Sequence, residues 1–325
     1  MGLIVKHFSA GYEKRGAFDA GNAIVRNISF SLQPGTITAL AGSNGCGKTT
    51  LLKGLCGLIP ASGTCILVND ENSLSDEPQT PAHSQTQTHI NDGILRPKQT
   101  TQSVHSNHAF QNAFEKKQRA DAAMPPYGSD LRTLSPRRLA RAVSYIPQRS
   151  GIAVPLPVID VVLMGFEPVL HLLEQPGKLH REQARAALAA VGMAGYENHS
   201  FQTLSEGQKQ LCILARTLVQ DAPLLLLDEP DSALDFTNRH LLLDTLRRTV
   251  AERQRTCLLV LHDLNLALDC CDQLLLMESG QLTGIVHPRS DSEETLSSSL
   301  SVLCGPVRVF RRDGHCFLYQ IKPCP

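Results

Sequence analysis

The chain has 325 residues, with 31 Lys+Arg against 31 Asp+Glu, so its formal net charge is zero. Balanced charge argues against a nucleic-acid partner, which a basic excess would signal. A hydrophobic content of 42% is enough for a sizeable core in one large α/β domain or two ordinary ones. Yet no apolar stretch approaches the roughly 18–20 residues that cross a bilayer, so membrane attachment is expected only through a partner.

In chain order, strands are predicted over 2–8 and 24–32, the second stopping at the turn signal Gln33-Pro34-Gly35. The N-terminus carries no apolar signal-peptide block and no Ser or Thr at position 6 for myristoylation, which gives a cytoplasmic expectation. Thr36–Ala41 is β-branched and apolar and reads as a buried strand. Gly42, Ser43, Asn44, Gly45, Cys46, Gly47, Lys48 and Thr49 follow it and match G-x-x-x-x-G-K-S/T, and Leu51–Leu55 continues as a helix. Strand, glycine loop and helix together form a phosphate cradle, in which backbone N–H groups and the positive helix end face an anion. In this reading Lys48 reaches the β- and γ-phosphates of a nucleotide and the Thr49 hydroxyl holds Mg²⁺. Cys46 lies inside the loop, so alkylating it should block nucleotide.

A further strand is expected at 64–68. From 71 to 130 the sequence turns polar, rich in Gln, Thr, Ser, Asn, His and Pro, and reads as a disordered insertion. Its histidines, His83, His89, His105 and His108, allow a metal-binding tract, although isolated His is common in polar linkers. Ser135-Pro136 is a good cap and first residue for a short helix, and Ala142–Ile146 reads as a strand. Helices are predicted over 157–173 and 179–193, the second with Leu179, Ala184, Ala187, Leu188 and Val191 on one stripe and Gly192 as its stop.

Leu204-Ser205-Glu206-Gly207-Gln208 opens another helix. Ser205 and Gln208 can form a capping box there, and a Ser/Gly helix start is also an anion site. Leu224–Leu227 is a continuous Leu run that suits a strand buried on both faces of a parallel sheet. It ends in Asp228 and Glu229. Ligands of open α/β sheets sit at the carboxyl ends of the strands, so Asp228 is placed to hold Mg²⁺ and Glu229 to orient or deprotonate a water. Thr256–Leu261 is a second buried strand, and it delivers His262 to the same edge. Leu274–Met277 is a third, and Val307–Phe310 with Cys316–Gln320 flank Asp313-Gly314 as a hairpin. The ten cysteines form no C-x-x-C pair and read as reduced, mostly small apolar residues, with Cys270-Cys271 a candidate redox pair.

These signals in this order resemble the nucleotide-binding subunit of an ABC transporter. Gly42–Thr49 is similar to its Walker A motif, Gln148 to its Q-loop glutamine, and Leu204–Gln208 to its LSGGQ signature, with Glu206 replacing the first glycine of the pair. Leu224–Glu229 resembles Walker B, Ser232–Asp235 the D-loop, and His262 the switch histidine. Tyr12 resembles the aromatic that stacks on adenine. The stretch Val158–Gly165 after the Q-loop, with Ser232–Phe236 and His262–Ala267, further resembles the subfamily that serves iron–siderophore, haem and cobalamin importers. It departs from that pattern at Phe166, where an arginine is usual, and in the 71–130 insertion.

The resemblance implies a P-loop ATPase domain over 1–325, with a mixed central sheet, an antiparallel β subdomain, a helical subdomain at 150–220 and a C-terminal hairpin region at 280–325. It implies ATP and Mg²⁺ as cofactors, Glu229, His262, Gln148 and Lys48 as catalytic, and Thr49, Gln148 and Asp228 at the metal. The nucleotide would be held by Tyr12, the loop Gly42–Thr49, Thr50 and Asp235 and, from a second copy, by the signature residues Ser205, Glu206, Gly207 and Gln208. It also implies a homodimer docked on a membrane permease at the cytoplasmic face of the inner membrane, served indirectly by a substrate-binding protein. The ATPase subunit of another ABC transporter, a zinc/manganese importer or an exporter, or a non-transport ABC ATPase is the alternative.

Overall fold

The computed structural model describes residues 1–12, 23–68, 124–148, 151–171 and 173–321. The four histidines of the polar stretch, and all of that stretch before residue 124, lie outside the described residues. Strands β1 (Gly2–Ala10), β2 (Val25–Leu32) and β3 (Ile37–Gly42) lead into helix α1 (Lys48–Leu55), followed by β4 (Ala61–Val68). Helix α2 (Pro136–Ala142), with Ser135 at the N-cap position and Pro136 as its first residue, runs directly into β5 (Val143–Ile146). Three helices follow: α3 (Val158–Leu163), α4 (Lys178–Ala190) and α5 (Glu206–Gln220). Then β6 (Leu224–Asp228), α6 (Phe236–Glu252), β7 (Thr256–Val260), α7 (Leu264–Cys270) and β8 (Gln273–Glu278) alternate. The chain continues through β9 (Gln281–Val286) and α8 (Glu293–Cys304) to the hairpin β10 (Val307–Arg312) and β11 (His315–Gln320).

The central sheet has the order β5-β6-β7-β3-β8-β9, parallel except for β9. Successive side chains of a strand point to opposite faces, so a strand covered on both sides must be apolar at every position. The Leu run of β6 obeys this. Leu224 and Leu226 join Leu258, Val260 and Leu275 in one core, under α1 and the antiparallel sheet β2-β1-β4. Leu225 and Leu227 join Leu259, Leu274 and Leu276 in the other, packed on α6 through Leu242, Leu243 and Leu246. The hairpin turns at Asp313 and Gly314, both at positive φ, which the right-handed twist of paired strands favours.

Three expectations are corrected. The helix predicted over 157–173 is α only to Leu163, tightens to a 3₁₀ turn at Met164–Phe166 and stops there. Pro168 has no N–H to continue it. Gly165 marks a close approach, because a Cβ there would stand 2.4 Å from the Arg216 carbonyl of α5. Leu179, placed on the apolar stripe of the next helix, is 64% exposed, while Ala184, Ala187, Leu188 and Val191 are buried. The 280–325 region is more than a hairpin. It also contributes β9 to the central sheet and the helix α8, whose Leu296 and Leu300 are fully buried.

Candidate functional site

Four adjacent parallel strands, β5, β6, β7 and β3, end at one edge of the sheet, and each delivers a candidate residue there. β3 hands the chain to the glycine loop, β6 ends on Asp228 with Glu229 next, β7 is followed by His262, and Gln148 lies two residues past β5. They meet around a cavity of about 390 Å³. It is lined by Asn44, Gly45, Gly47, Lys48, Thr49 and Thr50 of the loop, by Gln148, Glu229 and His262 opposite, and by Ile24. Its size suits a small-molecule ligand.

Lys48 is buried, and its ammonium donates to the carbonyls of Gly42 (2.8 Å) and Ser43 (2.9 Å). It is thus held inside the loop, with Cys46 Sγ 3.9 Å away. The Thr49 hydroxyl donates to Asp228 Oδ1 at 3.0 Å, and the Tyr145 hydroxyl donates to Oδ2 at 3.4 Å. Burial pushes the Asp228 carboxyl above its ordinary range, and the neighbouring Glu229 charge adds to this, against the two hydroxyl bonds. A hydroxyl and a carboxylate oxygen side by side form a hard-oxygen set that suits Mg²⁺, with the Gln148 amide on the same cavity wall.

Glu229 is held at both oxygens. Gln148 Nε2 donates to Oε2 at 2.5 Å, and His262 Nε2 stands 2.7 Å from Oε1. Its backbone is left-handed at φ +52, and its carbonyl accepts from the backbone N–H and the hydroxyl of Ser232. A non-glycine residue in that conformation costs about 1–3 kcal/mol and persists only where its surroundings enforce it. The carboxylate that sequence placed one step beyond the strand is therefore aimed by contacts on all sides.

The other sequence candidates do not line this cavity. Ser205 caps α5 in the expected reciprocal box: its Oγ accepts from Gln208 N (3.2 Å), and Gln208 Oε1 accepts from Ser205 N (3.0 Å). Glu206 pairs with Lys209 at 2.8 Å, and Gly207 follows it in the first turn. Asp235 caps α6 by accepting from Asn238 N at 2.8 Å. Tyr12 is half exposed, its ring centre 6.0 Å from Lys53 Nζ. The phosphate loop, Gln148, Asp228, Glu229 and His262 converge, while Tyr12, the Ser205–Gln208 turn and Asp235 stand apart from them.

Sequence reasoning missed three supports. Tyr145 gave no sign that its hydroxyl faces Asp228. Arg239 bridges the buried Asp231 (3.6 Å) and Asp263 (3.9 Å), tying the turn after Glu229 to the residue after His262. The turn at Ser279-Gly280 braces the loop from below: Gly280 N donates to Cys46 O (2.9 Å), and Gly280 O accepts from Arg26 N (2.8 Å). Gly280 lies at φ +80, and a Cβ there would sit 1.8 Å from Ile24 O. The vicinal Cys270 and Cys271 are buried with raised thiol pKa values, which suits packing rather than redox exchange.

The chain is also similar to known proteins. The chain is 30% identical over 266 residues to the "Probable iron chelatin transport ATP-binding protein" of Helicobacter pylori, covering 82% of this chain and 79% of that protein. It is 33% identical over 277 residues to the hemin import ATP-binding protein HmuV of Gloeobacter violaceus, covering 83% and 78%. Among solved structures, a metal-chelate type ABC transporter in an inward-facing conformation superposes with TM-score 0.64 at 20% identity, covering 98% of this chain and 96% of that one. A dimeric ATP-binding cassette with ADP and Pi superposes with TM-score 0.62 at 16% identity, covering 90% and 100%. Residues 25–232 match the family model described as ABC transporter. With the glycine loop, the Asp228–Glu229 pair and His262 gathered at one sheet edge, the chain belongs to the ABC transporter family.

Proposed function

We propose that this chain is the ATP-hydrolysing subunit of an importer for an iron chelate, a siderophore or haem, working as a homodimer beneath a membrane permease at the cytoplasmic face of the membrane. The observation that carries the reading is Glu229, gripped at both oxygens by Gln148 and His262 above the phosphate loop. A carboxylate so held can take a proton from a water aimed at the γ-phosphate, a contribution of roughly 10²–10⁴-fold. Lys48 and the loop amides balance the phosphate charge, and His262 adds a donor at the same oxygens. Thr49, Asp228 and Gln148 would hold Mg²⁺, which when bound neutralises charge on the β- and γ-phosphates.

One chain supplies only half of the contacts, since Ser205–Gln208 and Asp235 do not line the cavity. A second copy, turned head to tail, would bring its Ser205 and Gly207 to the γ-phosphate, and the neighbouring fold with ADP and Pi is a dimer. ATP would then hold two copies together and ADP would let them part, because a ligand shifts an equilibrium only by its differential affinity. Iron chelate as cargo rests on the relatives, which are named for iron chelatin and hemin. In cells whose only copy carries Lys48→Ala, uptake of labelled ferric siderophore or haem should fall to background. Unchanged uptake of both, and of cobalamin, would overturn the import reading.

A further inference from the structure

Strands β10 and β11 pair only with each other among the described residues, and side chains close the outer edges of this hairpin. On the β10 side, Ser301 Oγ, Ser297 Oγ and Glu293 Oε1 of α8 accept from the N–H groups of Val307 (3.2 Å), Val309 (2.8 Å) and Arg311 (2.7 Å). On the β11 side an asparagine of α7 does this work. Asn265 Oδ1 accepts from Leu318 N at 2.6 Å, and its Nδ2 donates to Leu318 O at 3.3 Å. A side-chain amide that exchanges both bonds with one residue reproduces what a paired residue of an antiparallel strand does. Four residues on, and so on the same face of α7, Asp269 Oδ1 stands 2.5 Å from His315 Nδ1. The helix is therefore laid across β11 and pinned at two points.

α7 begins just after His262. Asp263 caps it, Oδ1 accepting from Asn265 N (3.0 Å) and Leu266 N (3.2 Å), which knits the neighbour of His262 to the first turn of the helix. The His262 side chain is 43% exposed, so packing alone does not settle it, yet its Nε2 stands 2.7 Å from Glu229 Oε1. Its place is set by its backbone, which hangs between the end of β7 and the cap of α7. β7 is locked between β6 and β3. Leu266, Ala267 and Leu268 keep α7 on the core, but apolar contact is not directional. The directional bonds to β11 fix how the helix is turned and where its first residues lie.

We propose that Asn265 is a positioning residue for ATP turnover: standing in for a strand beside β11, it ties the C-terminal hairpin to the turn that carries His262 and holds the imidazole at Glu229. The hairpin thereby acts on the chemistry while lining no part of the nucleotide cavity. The proposal rests on the reading of His262 as a donor at the γ-phosphate.

Asn265→Leu in the full chain tests it, since leucine keeps the size of the side chain and removes both bonds. The bonds are exposed and water can replace them, so the variant should fold with a melting temperature within a few degrees of the parent. Phosphate release at saturating ATP should fall roughly tenfold or more with KM for ATP little changed, because a misplaced group costs rate rather than ground-state binding. In magnetic resonance spectra of histidine-labelled protein, the signal that His262→Ala removes should shift or broaden in Asn265→Leu. Asn265→Asp, which keeps the acceptor for Leu318 N alone, should fall between the parent and Asn265→Leu in both readouts. Parental turnover in Asn265→Leu, or a His262 signal unmoved in both Asn265 variants, would overturn the proposal and leave the role of His262 standing. Parental turnover in His262→Ala would instead overturn the reading of His262, and the positioning role with it.

Discussion

Asp228 and Glu229 are neighbours in sequence with different surroundings. Asp228 is 1% exposed and its carboxyl is raised by burial, so folding penalises its ionised form. With the folded pKa above the unfolded one, what this group contributes to stability is present at low pH and lost as pH rises through the folded value. Asp228→Asn keeps an acceptor for Thr49 without the charge. Its melting temperature at pH 7 should equal or exceed that of the parent, with the gap closing on acidification, while Mg²⁺-dependent ATP turnover disappears. A melting temperature below the parent at pH 7 would contradict the penalty. Glu229 is held by Gln148 and His262 and is not needed to bind phosphate. Glu229→Gln should therefore retain ATP affinity and lose roughly 10²–10⁴-fold in turnover, measured as phosphate release. Normal turnover would remove Glu229 from the role of base.

At the scale of elements, the glycine loop depends on a turn far away in sequence. Gly280 links Cys46 to Arg26, and its Cβ position is filled by Ile24 O. Gly280→Ala should cost about 1–3 kcal/mol from the left-handed backbone alone, more where Ile24 cannot move, and should weaken ATP binding along with stability. Unaltered nucleotide affinity in a destabilised variant would separate the turn from the loop. Nothing in Glu278–Gln281 signals this, because the contact exists only after β8 and β9 bring the turn under β2. What periodicity and turn chemistry govern was readable: the buried Leu run, the strand–loop–helix at Gly42–Thr49, the Ser205–Gln208 box and the Asp313-Gly314 hairpin. α6 and α8 carry legible signals too, with Asp235 and Ser292 as caps and Leu296 and Leu300 four apart. The 157–173 reading failed because apolar spacing continues past Gly165, whereas the backbone there is set by contact with α5. Convergence of Gln148, Glu229 and His262 followed from each sitting at a strand end, but their mutual bonds, and those of Tyr145 and Arg239, depend on strand order, which no local pattern encodes.

For the whole molecule, the proposed second copy follows from the separation of Ser205 from the candidate nucleotide cavity. In a Glu229→Gln background, ATP should drive the chain to a dimer in sedimentation. Adding Ser205→Arg should return it to monomer with ATP still bound, at the expense of about 1 kcal/mol from the lost cap. A dimer that survives Ser205→Arg would mean that the interface does not use the α5 N-terminus. One further property comes from the way the chain leaves β4 and returns before α2. Leu67 N donates to Ser129 O, Gly128 N donates to Leu67 O, and Ile66 is bridged to Asp130. The two ends of the 69–123 stretch are therefore stitched side by side, at the β4 edge of the antiparallel sheet. The entropy of closing a connection grows only with the logarithm of its length, about 0.6 kcal/mol per doubling. The junction is thus a natural splice point, where a fluorescent reporter with adjacent termini could be joined without pulling either end out of its pairing.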